Sequence, residues 1–436
     1  MLRYDKSRRH SDAPYFPDDN FPLAPEAVIR AYETYWERTQ PSEKTRRKEQ
    51  RKLGTTNTLI SDFCKSHLTP ETYDGAMLAP LVERSKIRDL REPAFDALGV
   101  YVNESRGSRQ DIRFALGLAA DQAVLRSFWN DKMQGLYPES DSPWETKPEN
   151  VRAIDILNVR TELGVNIESH LIAAANSLRW LLLDQEGNAP DALLKARRAE
   201  SLHAPLSEII GFDGISMALQ SARNLMKYRK IGRSDLIDDA RQALEPYGNH
   251  EAADERVNEI LTAVLGASSH KQVLDHGYQH GILLGEGVAT SDDLRLVWRQ
   301  KTPGSLARKL EGLERGLLPM DIIGATVITD TPYEIGKVLQ EVIERIKNDP
   351  RATIAAPPPT RPVGLHVRGA AEYIQEVARG MWLDSASALE PDFDVVVSDP
   401  TDYHVAKVTF TFQKWGEQVP SRVELQFNTA AHRVEA

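Results

Sequence analysis

Residues 320–346 read MDIIGATVITDTPYEIGKVLQEVIERI, and the class of fold turns on them. Asp321 opens an otherwise apolar, β-branched run that closes on a turn, which predicts a strand over 320–329. Thr331-Pro-Tyr-Glu334 is then a capping box with proline at the first helical position. The helix it starts runs to about Asn348, with Ile335, Leu339, Val342, Ile343 and Ile346 on one face. Beyond the stiff, Pro-rich IAAPPPTRPVG (354–364), the segments DVVVSD (394–399), VAKVTFTF (405–412) and RVELQF (422–427) read as strands. The last two alternate, and the turn-rich KWGEQVPS between them predicts a hairpin.

The chain upstream has another texture. From about 56 to 265 apolar residues recur at three- and four-residue spacing, as in QDIRFALGLAADQAVLRSFWND (110–131), NIESHLIAAANSLRWLLLD (166–184) and APDALLKARRAESLHAPLSEIIGF (189–212). GLYPESDSPWETKPEN (135–150) is a loop. Residues 26–52 are helical and end in KTRRKEQRK, Lys44 to Lys52, which reads as a solvated helix face or as a phosphate-binding patch. The expected fold is therefore α+β: an N-terminal extension (1–55) with a poorly ordered lead-in and this basic helix, an all-helical domain (56–265), and a mixed β-sheet domain with flanking helices (266–436).

Composition narrows the function. The chain has 436 residues, 27% of them charged, a net charge of −10 and one cysteine, Cys64. A lone cysteine closes no intrachain disulfide and builds no thiolate metal site. An acidic chain repels a nucleic-acid backbone as a whole, so any such contact must come from a local basic patch. No run of about 18 uncharged apolar residues is present, and MLRYDKSRRHSDAPYFPDD lacks the apolar core of a secretory signal. A soluble, cytoplasmic protein with no membrane partner is the expectation; homo-oligomerisation is left open.

Two groups of residues could carry chemistry. In Arg299-Gln-Lys301-Thr-Pro-Gly-Ser305-Leu-Ala-Arg-Lys309, a helix from Ser305 puts Ser305 and Lys309 one turn apart, with Arg299 and Lys301 just upstream. Cations and a hydroxyl at a helix start suit a polyphosphate, and a surface basic cluster is the plainer alternative. Asp321 heads one apolar strand, and alternation sets Glu424 and Gln426 on one face of another, opposite Val423, Leu425 and Phe427. Two carboxylates on neighbouring strands would hold Mg²⁺, which takes oxygen ligands and keeps waters and substrate phosphates; an exposed sheet face is the plainer alternative.

These motifs, taken in order, resemble the synthetase domain of the RelA/SpoT family. They are R-x-K-x₃-S-x₃-K from Arg299, D-I-x-G-x-x-V-I from Asp321, and V-E-L-Q-x-x-T-x-x-H ending at His432. The resemblance covers roughly 290–436 and implies a nucleotidyltransferase-like fold that transfers pyrophosphate from ATP to the 3′-hydroxyl of GDP or GTP. It implies that Arg299, Lys301 and Lys309 contact ATP, with Ser305 near them. Asp321 would bind Mg²⁺, and Glu424 would help hold the metal or act as base. Gln426 and His432 belong to the last motif. Tyr403, in Asp402-Tyr-His-Val-Ala-Lys407, is the counterpart of the family's guanine-stacking tyrosine, although the Gly, Ser and His around it differ. Two family cations are replaced here, by Thr326 and Asn428.

The helical part resembles the same family's long members. SLHAPLSEIIGFDGISMALQSARNLMKYR (201–229) is similar to the stretch that joins hydrolase to synthetase. An HD-type hydrolase needs a His-Asp pair and a further Asp as metal ligands, whereas this chain has Ala120-Asp121 and Asn176 at the similar places. The expectation is a degenerate HD-like domain without hydrolase activity. Two rival functions stay open: pyrophosphate transfer to the 3′ end of tRNA, as in toxin-like relatives, and a catalytically inactive nucleotide-binding module. Asp275-His276-Gly-Tyr-Gln-His280 reads as a structural or loop segment, and Trp298, Trp382 and Trp415 as core anchors.

Overall fold

The computed structural model describes residues 25–429 apart from 65–68, 137–165, 185–187, 189–191, 210–211, 248–249, 267–282, 290–293, 315, 356–363, 400–403 and 414–418. The loop predicted at 135–150, the Asp275–His280 segment and Trp415 fall wholly or largely outside the described residues. The chain is α+β and divides into two compact units between Ser234 and Asp235. Among the described residues no helix is long and apolar enough to cross a membrane.

The first unit is helical: α1 (Glu26–Thr39), α2 (Glu43–Cys64), α3 (Pro70–Arg84), α4 (Arg91–Glu104), α5 (Arg109–Leu136), α6 (Ile167–Leu183), α7 (Ala192–Arg198), α8 (Ala204–Ile209) and α9 (Asp213–Lys230). Tyr32, Tyr35 and Trp36 of α1 share a core with Met77, Leu78 and Leu81 of α3, Ala97 and Tyr101 of α4, and Ala115 of α5. The basic run lies on α2, where several of its cations have local partners. The Arg46 guanidinium stands 4.8 Å over the Trp36 ring, and Arg47 pairs with Glu43 at 3.0 Å. Glu49, within the run, accepts from Trp36 Nε1 at 2.8 Å and pairs with Arg84. Asp121 of α5 holds the start of α6: its Oδ2 accepts from the Asn166 backbone N–H at 3.1 Å and from the Ser169 hydroxyl at 3.3 Å.

The second unit begins with α10 (Ser234–Leu244) and α11 (His250–Leu265). Sequence periodicity identifies these helices but not the body they join, so the expected boundary at 265/266 falls later than the division seen. Val257, Ile260, Leu261, Val264 and Leu265 of α11 are buried in the core of the sheet. The strands are β1 (Leu283–Ala289), β2 (Leu294–Gln300), β3 (Ile323–Thr329), β4 (Ala352–Ile354), β5 (Leu365–Gly369), β6 (Asp394–Val397), β7 (Val405–Phe412) and β8 (Ser421–Thr429). Among the described residues they form one mixed sheet in the order β1-β2-β3-β8-β7-β5-β6, with β4 paired to β7. The β3/β8 and β5/β6 pairs are parallel, and the predicted β7–β8 hairpin is antiparallel.

The helices between strands are α12 (Pro303–Glu311), α13 (Pro332–Asn348) and α14 (Ala371–Gly380). The predicted capping box is present at the start of α13, where the Thr331 hydroxyl accepts from the Glu334 N–H and Glu334 accepts from the Thr331 N–H. Ile335, Leu339, Val342, Ile343 and Ile346 all point into the core, together with Ile374 and Val377 of α14. Trp298 is a core anchor at 2% exposed. Trp382 is not: it is 76% exposed and sits just past α14 at φ 62°, a left-handed position that glycine usually takes. The expectation failed there because a tryptophan count carries no information about the helix end it occupies.

Helices α13 and α14 touch through glycines. A Cβ at Gly336 would lie 2.1 Å from the Val377 carbonyl oxygen, and one at Gly380 would lie 2.1 Å from that of Tyr333. Since backbone atoms cannot yield locally, Gly336→Ala is expected to lower unfolding stability by about 1–3 kcal/mol, read by urea titration. Trp382→Gly is expected to raise it by about 1 kcal/mol, because the left-handed conformation costs a residue with a Cβ about that much.

Candidate functional site

Burial alternates along the central strands. Ile323, Ala325 and Val327 of β3 and Val423, Leu425 and Phe427 of β8 are buried under the helices. The other side is partly accessible, and register lines up its side chains in rows across the sheet. One row runs Arg299, Gly324, Glu424, Thr409. The next runs Val297, Thr326, Gln426, Lys407, His366, Asp394. Because Gly324 has no side chain, Arg299 and Glu424 flank a notch two strand spacings wide, roughly 9–10 Å.

The segment between β2 and β3 supplies the rest of the site. The Lys301 N–H donates to the Ile322 carbonyl at 2.8 Å, extending the β2–β3 ladder past its last paired residues. Thr302, fully buried, then caps α12: its hydroxyl oxygen accepts from the Ser305 N–H at 3.2 Å. It also donates to the Ser305 hydroxyl oxygen at 3.0 Å when its proton points that way. Ser305 is thus tied into the cap, while Lys309, one turn on, reaches back over the helix start.

Asp321 breaks the alternation. Ile322 and Ile323 are both buried, so the chain bends before β3 begins and the carboxylate is turned toward α12. Its Oδ2 sits 3.0 Å from Lys301 Nζ and 3.1 Å from Lys309 Nζ. Burial alone would raise this carboxyl, but the two ammonium groups outweigh it and hold Asp321 below the usual carboxylate range. Burial lowers the Lys301 ammonium in turn, with Asp321 offsetting part of the effect. On β8, Gln426 Nε2 donates to Glu424 Oε1 at 2.6 Å, and Lys407 Nζ lies 3.8 Å from the same oxygen. Arg422 Nη1 donates to the Leu318 carbonyl at 2.7 Å, which pins the approach to Asp321 against the strand that carries Glu424.

Of the residues singled out in the sequence, Lys301, Lys309 and Asp321 are thus in one ion-paired group, with Ser305 in the adjoining cap. Arg299, Glu424 and Gln426 share the accessible sheet face. Tyr403 and His432 lie outside the described residues. Thr326 faces the accessible side between Val297 and Gln426, and Asn428 is buried. Sequence reasoning overlooked His366, Arg368 and Asp394; the polar–apolar alternation of His-Val-Arg within Leu365–Gly369 was the signal that could have found β5.

Among the described residues, nitrogen donors engage one oxygen of each carboxylate, Asp321 Oδ2 and Glu424 Oε1. No group of three or more metal-ligating side chains occurs among the described residues. Two carboxylates alone would leave the rest of a bound cation's shell to water and ligand oxygens, a coordination that Mg²⁺ accepts. No known family model matches the chain, and no curated protein matches it.

The ion-paired group has a measurable consequence. Asp321 contributes stability above its unfolded-state pKa, about 3.9, and that contribution is lost as pH falls through the depressed folded value. Asp321→Asn strands Lys301 in a site where it is 15% exposed. The variant is expected to lose about 2–3 kcal/mol at pH 7, less than the roughly 3–5 of a fully buried pair. Urea titrations of both proteins should show that gap closing below about pH 4.

Proposed function

We propose that the second unit is a RelA/SpoT-like, Mg²⁺-dependent transferase that moves pyrophosphate from ATP to the 3′-hydroxyl of GDP or GTP, on a nucleotidyltransferase-like sheet. One observation carries the reading: Asp321, held between Lys301 and Lys309, sits at the head of the strand that pairs in parallel with the strand of Glu424. Phosphoryl-type transfer needs positioned cations and carboxylates more than a covalent nucleophile, and this group supplies both.

In this reading Arg299, Lys301 and Lys309 neutralise and orient the ATP phosphates. The acceptor 3′-oxygen bonds to the β-phosphorus, the bond from that phosphorus to the oxygen bridging the α-phosphate breaks, and AMP leaves. Glu424 receives the hydroxyl proton, with Gln426 and Lys407 holding the carboxylate in place. Bound Mg²⁺, held by Asp321 and Glu424, would supply charge neutralisation at the phosphates. The first unit is proposed to be HD-like and without hydrolase activity, since Asp121 is engaged by Asn166 and Ser169, Ala120 precedes it and Asn176 is neutral.

A second reading, nucleotide binding without turnover, has its own support in the neutral row Val297-Thr326-Gln426, which carries no cation before Lys407. Incubation of the full chain with γ-³²P-ATP and Mg²⁺, with GDP, GTP or tRNA added separately, decides between them. Label on GDP or GTP is expected, since the γ-phosphate travels with the transferred group. Label on tRNA alone would reassign the acceptor, and no transfer to any of the three would favour the binding module. Glu424→Gln is expected to cut transfer at least 100-fold while leaving the circular dichroism spectrum unchanged; full activity in that variant would remove Glu424 from the mechanism.

A further inference from the structure

The sheet ends on a strand that the site just described does not use. β6 pairs with β5 on one side, and among the described residues no strand pairs with its other side. The Ser398 N–H donates to the Gly369 carbonyl of β5 at 2.9 Å. At the alternate positions, Val395 and Val397, the backbone N–H and C=O therefore point to the outer edge. Val396 is 36% exposed and Val397 69%, so the edge is apolar as well as open. Trp382 lies in the same β5–α14–β6 crossover, 76% exposed and left-handed at φ 62°. The segment that joins it to β6 is held by the buried Met381, Leu389 and Phe393, and by the Ala386 N–H donating to Gln375 Oε1 at 3.0 Å. Neither the exposure nor the backbone strain of Trp382 helps the isolated unit to fold, whereas tryptophan is a strong anchor at a binding face.

Charge says what covers this edge. Asp384, Glu390, Asp392 and Asp399 flank the tryptophan and the strand and are exposed. The cation in register with the strand, Arg368 opposite Val396, belongs to β5 on its inner side. Two copies of the chain pairing edge to edge would bring two such acidic sets together, which disfavours self-association there. We propose that the outer edge of β6 and Trp382 dock an extended, basic segment of another protein, which adds to the sheet as a further strand. Its backbone pairs with the outward groups of Val395 and Val397, and its β-branched side chains cover Val396 and Val397. Its Lys or Arg side chains meet the flanking carboxylates and the face of the Trp382 ring. The surface contains neither the Asp321 group nor Glu424, so it stands apart from the transferase reading.

The test titrates the full chain into a fluorescein-labelled peptide of alternating valine and threonine flanked by lysines, read by anisotropy, with a glutamate-flanked peptide beside it. The lysine peptide is expected to bind with Kd below about 1 mM, and the glutamate peptide roughly tenfold more weakly. Binding should slow hydrogen exchange over residues 394–398. Trp382→Gly, expected above to be more stable than the wild type, should weaken binding roughly fivefold or more, a loss that a merely structural tryptophan would not cause. Val397→Pro removes one outward N–H without touching the ladder to β5, and should weaken binding to a similar degree with an unchanged circular dichroism spectrum. Equal binding of the two peptides, binding indifferent to both substitutions, or no binding by the wild type overturns the proposal. Sedimentation of the chain alone is the last arm: a dimer that Val397→Pro dissociates would assign the edge to a second copy and overturn it too.

Discussion

Period-two alternation on the parallel pair β3 and β8 is the constraint on which the second unit depends. Val423, Leu425 and Phe427 on one strand and Ile323, Ala325 and Val327 on the other are all at most 2% exposed. Burying each large aliphatic or aromatic side chain favours folding by about 1.5–3 kcal/mol. A slip of one residue would turn that set to water and drive Glu424 and Gln426 under α11, α13 and α14. The register that secures the core therefore also decides which side chains share the accessible face. Gly324 lies opposite Glu424, and Lys407 opposite Gln426, for the same reason.

Asp321 is the exception that the core tolerates. Two consecutive buried isoleucines force the chain out of alternation just before β3, and the carboxylate ends up with Lys301 and Lys309. A lysine that is 15% exposed is costly without a counter-charge, and so is a carboxylate that is 16% exposed. Each group makes the other's position tenable.

The fold was largely legible in the sequence where local signals were strong. The capping box at Thr331 and the alternation in VAKVTFTF and RVELQF located α13, β7 and β8. Weak signals were passed over: β2 has two adjacent polar residues, Arg299 and Gln300, at its end, and β5 is five residues long. Which unit α11 joins is a tertiary matter, set by the apolar face it finds. The candidate site is legible in the sequence only as residue types in order: Arg299, Lys301, Lys309, Asp321 and Glu424. Its geometry is not: that Lys301 and Lys309 share one carboxylate oxygen depends on a bend that no periodicity encodes. His366 and Asp394 are 28 residues apart in sequence and meet only because β5 and β6 pair in parallel.

On the transferase reading proposed above, nucleotide binds on the accessible face of this sheet, from the Lys301–Asp321–Lys309 group to Glu424. Photolabelling with azido-ATP and Mg²⁺, followed by peptide mapping of the full chain, tests it most directly. Adducts are expected within 295–309, 321–329 or 421–429, competed away by ATP and lost in Lys301→Met/Lys309→Ala. Adducts confined to the helical unit, or labelling indifferent to that double substitution, would contradict it.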